Sequence, residues 1–215
     1  MNSFDIENWN AWTSSLISHG QPSIMYSRIQ KVEKIPEFII SRFWPQRYEE
    51  LEFAIFNAKN VLIDLIKVFY TYADDESPER LKDKPMDRRI STRKFYKIRE
   101  WDTEKYHSLL KEYEYHVALI EDLTFELTRA VNFIIEKIRI FISQKFREEE
   151  GKLLITTGPF LDFSWKTFKV EYKIEEKKNP HPYPGLRKIM IERETRDISN
   201  GVGFSKIYFF DQMEE

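Results

Sequence analysis

Basic and aromatic side chains occur together between Arg80 and Arg99, which makes this stretch suited to bind a polyanion. It contains nine lysines and arginines against two aspartates, a local charge of +7 in a chain whose net charge is −2. Cations bind phosphates and aromatic rings stack on bases, so the pattern predicts contact with RNA or DNA. The candidate contacts are Arg88, Arg89, Arg93, Lys94, Phe95, Tyr96, Lys97 and Arg99. The alternative is a solvated loop that pairs with the acidic runs at 74–76 and 148–150.

Arg99 and His107 are a second candidate for chemistry, because an RNase needs a phosphate-binding cation and a general base. Seven residues separate them, and the pair crosses the predicted junction between a loop and a helix. Together with the basic stretch, the pair defines an alternative function, a nucleic-acid-binding protein or RNase.

Glu112 and His116 lie four residues apart and therefore share one face of a helix. A metal between them is conceivable, but carboxylate-bridged metal sites in helical bundles use Glu and His three residues apart with matching acids on other helices. The residue three before His116 is Tyr113. A half-buried, hydrogen-bonded histidine is therefore the better prediction, and no metal is assigned.

Motifs for other chemistry are absent. Gly201 and Gly203 lack the third glycine of a dinucleotide-binding loop, and Asn200-Gly201 is typical of a hairpin turn. The chain has no cysteine, which excludes disulfides and thiolate metal sites. No catalytic residue or cofactor is predicted. A small-molecule pocket beside Phe163, Trp165 and Phe168 is a third possibility, although nothing in the sequence selects a ligand.

A long helix predicted from Thr103 to Glu150 is the element that has to position these residues. Apolar side chains recur with alternating steps of three and four over about five heptads, the pattern of a coiled-coil seam. A second seam runs from Gln46 to Ala73, at about half the length. The two helices are expected to form an antiparallel, coiled-coil-like hairpin.

Surface left uncovered by the shorter helix predicts self-association. Between 133 and 142 the long helix is apolar on nearly every side, which indicates burial on several faces. The candidate self-association residues are Phe133, Ile135, Ile140, Phe141 and Ile142. The alternative is that the N-terminal helices and the C-terminal sheet cover this surface within one chain.

The remaining chain completes a predicted α+β fold in a single domain, 1–215. Residues 1–45 form short N-terminal helices, 46–150 the hairpin with the basic linker 74–102, and 151–215 a four-stranded antiparallel β-meander. The predicted strands are Leu153–Thr157, one within Phe163–Ile174, Leu186–Thr195 and Phe204–Phe210, chosen for their alternating apolar residues and intervening turns.

A non-enzymatic interaction or scaffold protein is the leading functional hypothesis, one that self-associates within a larger assembly as a homo-oligomer or with a protein partner. The N-terminus lacks the pattern of a signal peptide and no apolar run is long enough to span a membrane. A cytoplasmic protein without membrane contact is therefore expected.

Overall fold

Helices form most of the computed structural model, which describes residues 5–17, 21–75, 88–92, 102–159 and 163–194. The helices are α1 (Trp9–Ile17), α2 (Tyr26–Ile40), α3 (Glu49–Tyr72), α4 (Thr103–Phe141) and α5 (Leu186–Glu194). The strands are β1 (Ser23–Met25), β2 (Arg89–Ser91), β3 (Leu154–Thr157) and β4 (Lys166–Lys169), and 3-10 turns occur at Ile6–Asn8 and Glu176–Lys178. The described residues therefore have an α+β architecture dominated by helices.

An antiparallel hairpin of α3 and α4 forms the centre of the fold. At one end, the rings of Tyr48 and Phe141 lie 5.8 Å apart, and Lys137 Nζ lies 2.5 Å from Glu50 Oε2. At the other end, Tyr72 packs edge-on against His116 with ring centroids 4.6 Å apart. The start of α3 therefore lies beside the end of α4, and the end of α3 lies beside His116, more than three turns after α4 begins. The two helices run antiparallel, as the two heptad seams predict.

The bounds of α4 follow from interactions at its two ends. The helix begins at Thr103, as predicted, and the Asp102 carboxylate accepts a hydrogen bond from the Lys105 backbone N–H at 3.1 Å. It ends at Phe141, earlier than predicted, and residues 144–150 form turns. The Arg139 guanidinium donates to the carbonyl oxygens of Phe146, Arg147 and Gly151. The turn therefore folds back onto the end of the helix, where its carbonyl oxygens accept hydrogen bonds from the guanidinium. The chain leaves the helical path at this point.

Every residue of α4 from Asp122 to Ile135 is buried. The sequence predicts burial on several faces at 133–142, but Ile140 and Ile142 are exposed. Burial is instead complete at 122–135, because α1 and β3 cover α4 there in addition to α3. The Trp9 indole N–H reaches Thr128 Oγ1 at 3.1 Å, which joins α1 directly to this part of α4.

The predicted four-stranded meander is wrong. The described residues contain two separate two-stranded antiparallel sheets, β1–β2 and β3–β4. The β3–β4 pair corresponds to the first two predicted strands, with Ile155 opposite Phe168. The fourth predicted strand, Phe204–Phe210, lies outside the described residues.

The third predicted strand is α5. Ile189 and Ile191 alternate with charged residues, but Ile189 is buried while Ile191 is exposed. The helix instead buries Ile189 together with Arg193, four residues later and on the same face. A nine-residue segment rich in Leu, Arg, Lys, Met and Glu favours a helix, and its alternation is too short to distinguish the two structures.

The sheet β1–β2 anchors part of the linker 74–102 in the fold. Ile24 pairs with Ile90, and both are buried. Asp74 and Ser91 exchange backbone hydrogen bonds of 2.8 and 3.2 Å, so the end of α3 adjoins the other side of β2. The sequence gives little sign of this sheet, because three-residue strands are too short to show a period.

Asn132 fixes the β3–β4 segment to α4. Its Nδ2 donates to the carbonyl oxygens of Leu153 at 3.0 Å and Val170 at 2.8 Å, and its Oδ1 accepts from the Leu153 N–H at 2.8 Å. The side chain therefore satisfies three buried backbone groups beside the two strands.

Replacement of Asn132 by Ala is expected to lower the free energy of unfolding by about 2–4 kcal/mol, since three buried polar groups lose their partner. Urea denaturation measures the change. Asn60→Ala, at an exposed position of α3, is the matched control and should change stability by less than about 0.5 kcal/mol. Equal effects of the two substitutions would contradict this role of Asn132.

Candidate functional site

The two predicted nucleic-acid contacts within the described residues are both engaged by protein groups. Arg88 forms an ion pair with Asp75, and its guanidinium lies 4.1 Å from the centre of the Tyr26 ring. The hydrogen bond to Asp75 raises the pKa of Arg88. Arg89 is exposed and donates to Ser23 Oγ at 3.3 Å. The other candidates, Arg93, Lys94, Phe95, Tyr96, Lys97 and Arg99, lie outside the described residues.

His116 has the environment of a core histidine. Its side chain is buried against Tyr72, whose hydroxyl donates to the Glu112 carboxylate. Burial lowers the pKa of His116 to about 4, so the ring is neutral at pH 7. His107 is exposed, and its predicted companion Arg99 lies outside the described residues. No group of three metal-ligating side chains occurs in the described part of the chain.

A buried polar network that sequence analysis did not find joins α3, α4 and the segment after β4. Tyr172 Oη donates to Glu126 Oε1 at 2.6 Å and accepts from Asn57 Nδ2 at 3.0 Å. Arg129 Nη1 lies 2.9 Å from Glu126 Oε2, and Arg129 Nη2 lies 2.5 Å from Glu176 Oε2. Burial raises the pKa values of both Glu126 and Tyr172.

Within this network, both carboxylate oxygens of Glu126 already accept hydrogen bonds from protein groups. It extends to Tyr183, whose backbone N–H donates to Asn57 Oδ1 at 2.9 Å and whose hydroxyl donates to Asp64 Oδ2 at 2.7 Å. These contacts fasten the C-terminal segment to the hairpin. No spacing in the sequence indicates them, since the partners are far apart along the chain.

A second buried ion pair holds α5 against α4. Arg193 Nη1 lies 2.7 Å from Asp122 Oδ2, and both side chains are buried. Burial, and then the neighbouring Asp122, raise the pKa of Glu121 from its ordinary value of 4.5 to about 8, and Arg193 partly offsets this shift. Arg193 thus lies near two carboxyl groups, and the carboxyl group of Glu121 keeps its proton at pH 7.

The end of the hairpin where α3 begins and α4 ends exposes large apolar side chains. Ile140 and Ile142 are 59% and 58% exposed, and Phe43, in the connection from α2 to α3, is 92% exposed. Phe141, between the two isoleucines, is partly buried against Tyr48. We call Phe43, Ile140, Phe141 and Ile142 the apolar end.

The predicted self-association residues therefore fall into two groups. Phe133 and Ile135 are buried inside the chain, where the Phe133 ring packs edge-on against Tyr172 at 5.8 Å. Ile140, Phe141 and Ile142 lie at the apolar end. Phe43 was missed because nothing in its local sequence distinguishes an exposed phenylalanine from one that completes a core.

Aromatic side chains near β4 do not line a common pocket with the helix. Phe168 is buried against Phe125, with ring centroids 5.6 Å apart, whereas Phe163 and Trp165 are exposed. A small apolar cavity lies elsewhere, between α1, α2 and α3. Its lining residues include Trp12, Ile29, Val32, Leu62 and Phe69. The cavity lining offers no charged group that would orient a polar ligand.

No protein-family model, curated protein or solved structure matches this chain. Among the described residues, no helix is both long and apolar enough to cross a membrane. Function is therefore inferred from the residues themselves.

Substitution of Glu121 by Gln is expected to flatten the pH dependence of stability between pH 6.5 and 8. In the wild type, the folded protein keeps a proton on Glu121 that the unfolded chain releases, so stability falls as pH rises from 4.5 towards 8. His116 acts in the opposite direction and only between about pH 4 and 6.5.

Urea denaturation at several pH values tests the expected slope. The wild type should lose stability from pH 6.5 to 8, and Glu121→Gln should lose less. Glu114→Gln, at an exposed position of α4, should keep the wild-type slope. A wild-type slope in Glu121→Gln would contradict the assignment.

Proposed function

We propose that this protein is a non-enzymatic interaction protein that self-associates through the apolar end and works within a larger assembly in the cytoplasm. The observation that carries the proposal is the exposure of Ile140, Ile142 and Phe43 at one end of the hairpin. Contiguous exposed apolar surface marks protein–protein contact sites, and these side chains are the candidates to supply it at this end of the hairpin.

The apolar end is supported by a rigid base, which favours its use as an interface. Phe133 and Ile135, one to two turns before Ile140, are buried. Lys137 pairs with Glu50, and Arg139 holds the turn that follows α4. An interface built on packed helices loses less conformational entropy on association than one built on loops.

The buried ionisable groups support a structural rather than a catalytic role. Glu126 and Arg129 satisfy each other and Tyr172, and Asp122 pairs with Arg193. An active site needs polar groups that are accessible to a substrate in a pocket. These groups instead stabilise contacts between distant parts of the chain.

The double substitution Ile140→Glu/Ile142→Glu is expected to convert the oligomer to a monomer of 26.1 kDa, because burying the new carboxylates in an apolar interface is costly. Light scattering coupled to size-exclusion chromatography measures the mass, and circular dichroism checks folding. Ile191→Glu, at an isoleucine that is 52% exposed on α5, is the control and should leave the mass unchanged. A monomeric wild type at micromolar concentration would overturn the proposal.

The second candidate function is binding of RNA or DNA, with RNase activity as one form of it. It is favoured by the net charge of +7 between Arg80 and Arg99 and by the exposure of Arg89, whose strand presents part of this segment on a folded sheet. The neutralisation of Arg88 by Asp75 reduces the charge available for phosphate.

Reversal of two charges by Arg93→Glu/Lys94→Glu tests nucleic-acid binding. If the linker binds phosphates, affinity for a fluorescent single-stranded oligonucleotide should fall at least about tenfold, and the dependence on salt should become shallower. Fluorescence anisotropy at two salt concentrations measures both. The reversal Lys188→Glu, at an exposed position of α5, is the control. Equal affinity of the wild type and the linker variant would exclude this role of the linker.

A further inference from the structure

The β3–β4 sheet has one buried side and one side at the surface. Ile155 and Phe168, which pair across the sheet, are both buried. Because successive side chains of a strand point to opposite faces, Thr156 and Thr167 lie on the other side. Their hydroxyl oxygens lie 3.1 Å apart, and Thr167 is exposed. We call the side that carries Thr156 and Thr167 the outer face.

Trp165 adds an exposed aromatic ring to the outer face. It lies two residues before Thr167 and therefore on the same side of the strand. Continuing the strand register one pair beyond Thr157 and Lys166 places Gly158 opposite Trp165. A Cβ atom on Gly158 would lie only 3.0 Å from Cδ2 and Cε3 of the indole, so the ring lies against the glycine. The side chain is nevertheless 60% exposed, which leaves aromatic surface open to a ligand.

Lysines lie at the opposite end of the outer face from Trp165. Lys169 Nζ lies 3.8 Å from Glu171 Oε1, and Lys152 contacts the second oxygen of the same carboxylate. One carboxylate therefore serves two lysines. Even with that carboxylate in contact, burial and then the charges of Lys169 and Lys177 lower the pKa of Lys152. Positive charge is thus in excess at this end of the outer face.

We propose that the outer face binds single-stranded nucleic acid, with a base stacked on Trp165 and phosphates bound by Lys169 and Lys152. Aromatic rings that stack on bases beside cations that follow the backbone are the means by which proteins bind single strands. Trp165 and Lys169 are four residues apart on an extended strand, about 13 Å, which is long enough for more than one nucleotide. The hydroxyl groups of Thr156 and Thr167 lie between them and can hydrogen-bond the strand.

The chemistry of the outer face selects this partner over others. Excess positive charge favours a polyanion over a neutral ligand such as a sugar. Stacking on Trp165 requires a base that is not enclosed in a duplex. The outer face uses neither the apolar end nor the linker 74–102, so it goes beyond both candidate functions and is tested by different variants.

Substitution of Trp165 by Ala is expected to weaken binding of a fluorescein-labelled single-stranded oligothymidylate at least about fivefold, because the stacked base loses its platform. Trp165→Phe keeps an aromatic ring and should bind within about threefold of the wild type. Fluorescence anisotropy measures the affinities. Phe38→Ala, at a phenylalanine that is 51% exposed on α2, is the matched control and should leave the affinity unchanged.

Charge reversal by Lys169→Glu tests the phosphate contacts. The affinity should fall at least about tenfold at low salt, and its dependence on salt should become shallower. Trp165→Ala should instead leave the salt dependence nearly unchanged, because a stacked ring releases no counterions. Lys188→Glu, at an exposed position of α5, is the control for charge. Circular dichroism confirms that each variant is folded.

Three results would overturn the inference. The first is a wild type that does not bind the oligonucleotide. The second is binding that Trp165→Ala and Lys169→Glu leave unchanged and that Arg93→Glu/Lys94→Glu abolishes, which would assign binding to the linker. The third is binding to vesicles of anionic phospholipid without binding to the oligonucleotide. Self-association through the apolar end is tested by the mass of the protein, so its failure is distinguishable from each of these results.

Discussion

Complete burial of α4 between Asp122 and Ile135 imposes the constraint on which the rest of the structure depends. A polar side chain in a buried helix has to find its partner inside the protein, because an unsatisfied buried group costs more than a hydrogen bond gains. Five polar residues in this stretch reach partners in α1, in α5 and in the segments beside β3 and β4. The pairs are Asp122 with Arg193, Glu126 with Tyr172, Thr128 with Trp9, Arg129 with Glu176 and Asn132 with Leu153.

These contacts explain how a chain with short strands and small sheets acquires one definite arrangement. The segment after β4 carries little regular structure of its own, yet Tyr172 and Tyr183 are buried and hydrogen-bonded to α3 and α4. Buried networks specify position because each donor accepts only a narrow range of geometry. The position of the C-terminal segment is therefore determined by hydrogen bonds as well as by apolar packing.

The hairpin has a middle whose side chains are buried within the chain and an end where large apolar side chains are exposed. In the middle, apolar and polar side chains both have intramolecular partners. At the end, Ile140 and Ile142 are exposed. The buried middle of the long helix thus provides stability, and the proposed interaction uses its exposed end. Substitutions of exposed residues at the apolar end should accordingly leave the core undisturbed.

The sequence by itself determined the elements with long, regular periods. Heptad spacing identified α3, the start of α4 and their packing against each other, because apolar seams repeated over many residues are buried by packing along one another. It also identified β3 and its pairing with β4. Tertiary structure alone decided the short elements and the buried polar pairs. Leu186–Glu194 became a helix because Ile189 and Arg193 are buried on one face, with Arg193 reaching Asp122. Likewise, only packing determined that Phe133 and Ile135 are internal while Ile140 and Ile142 are exposed, since all four belong to the same apolar stretch of the chain.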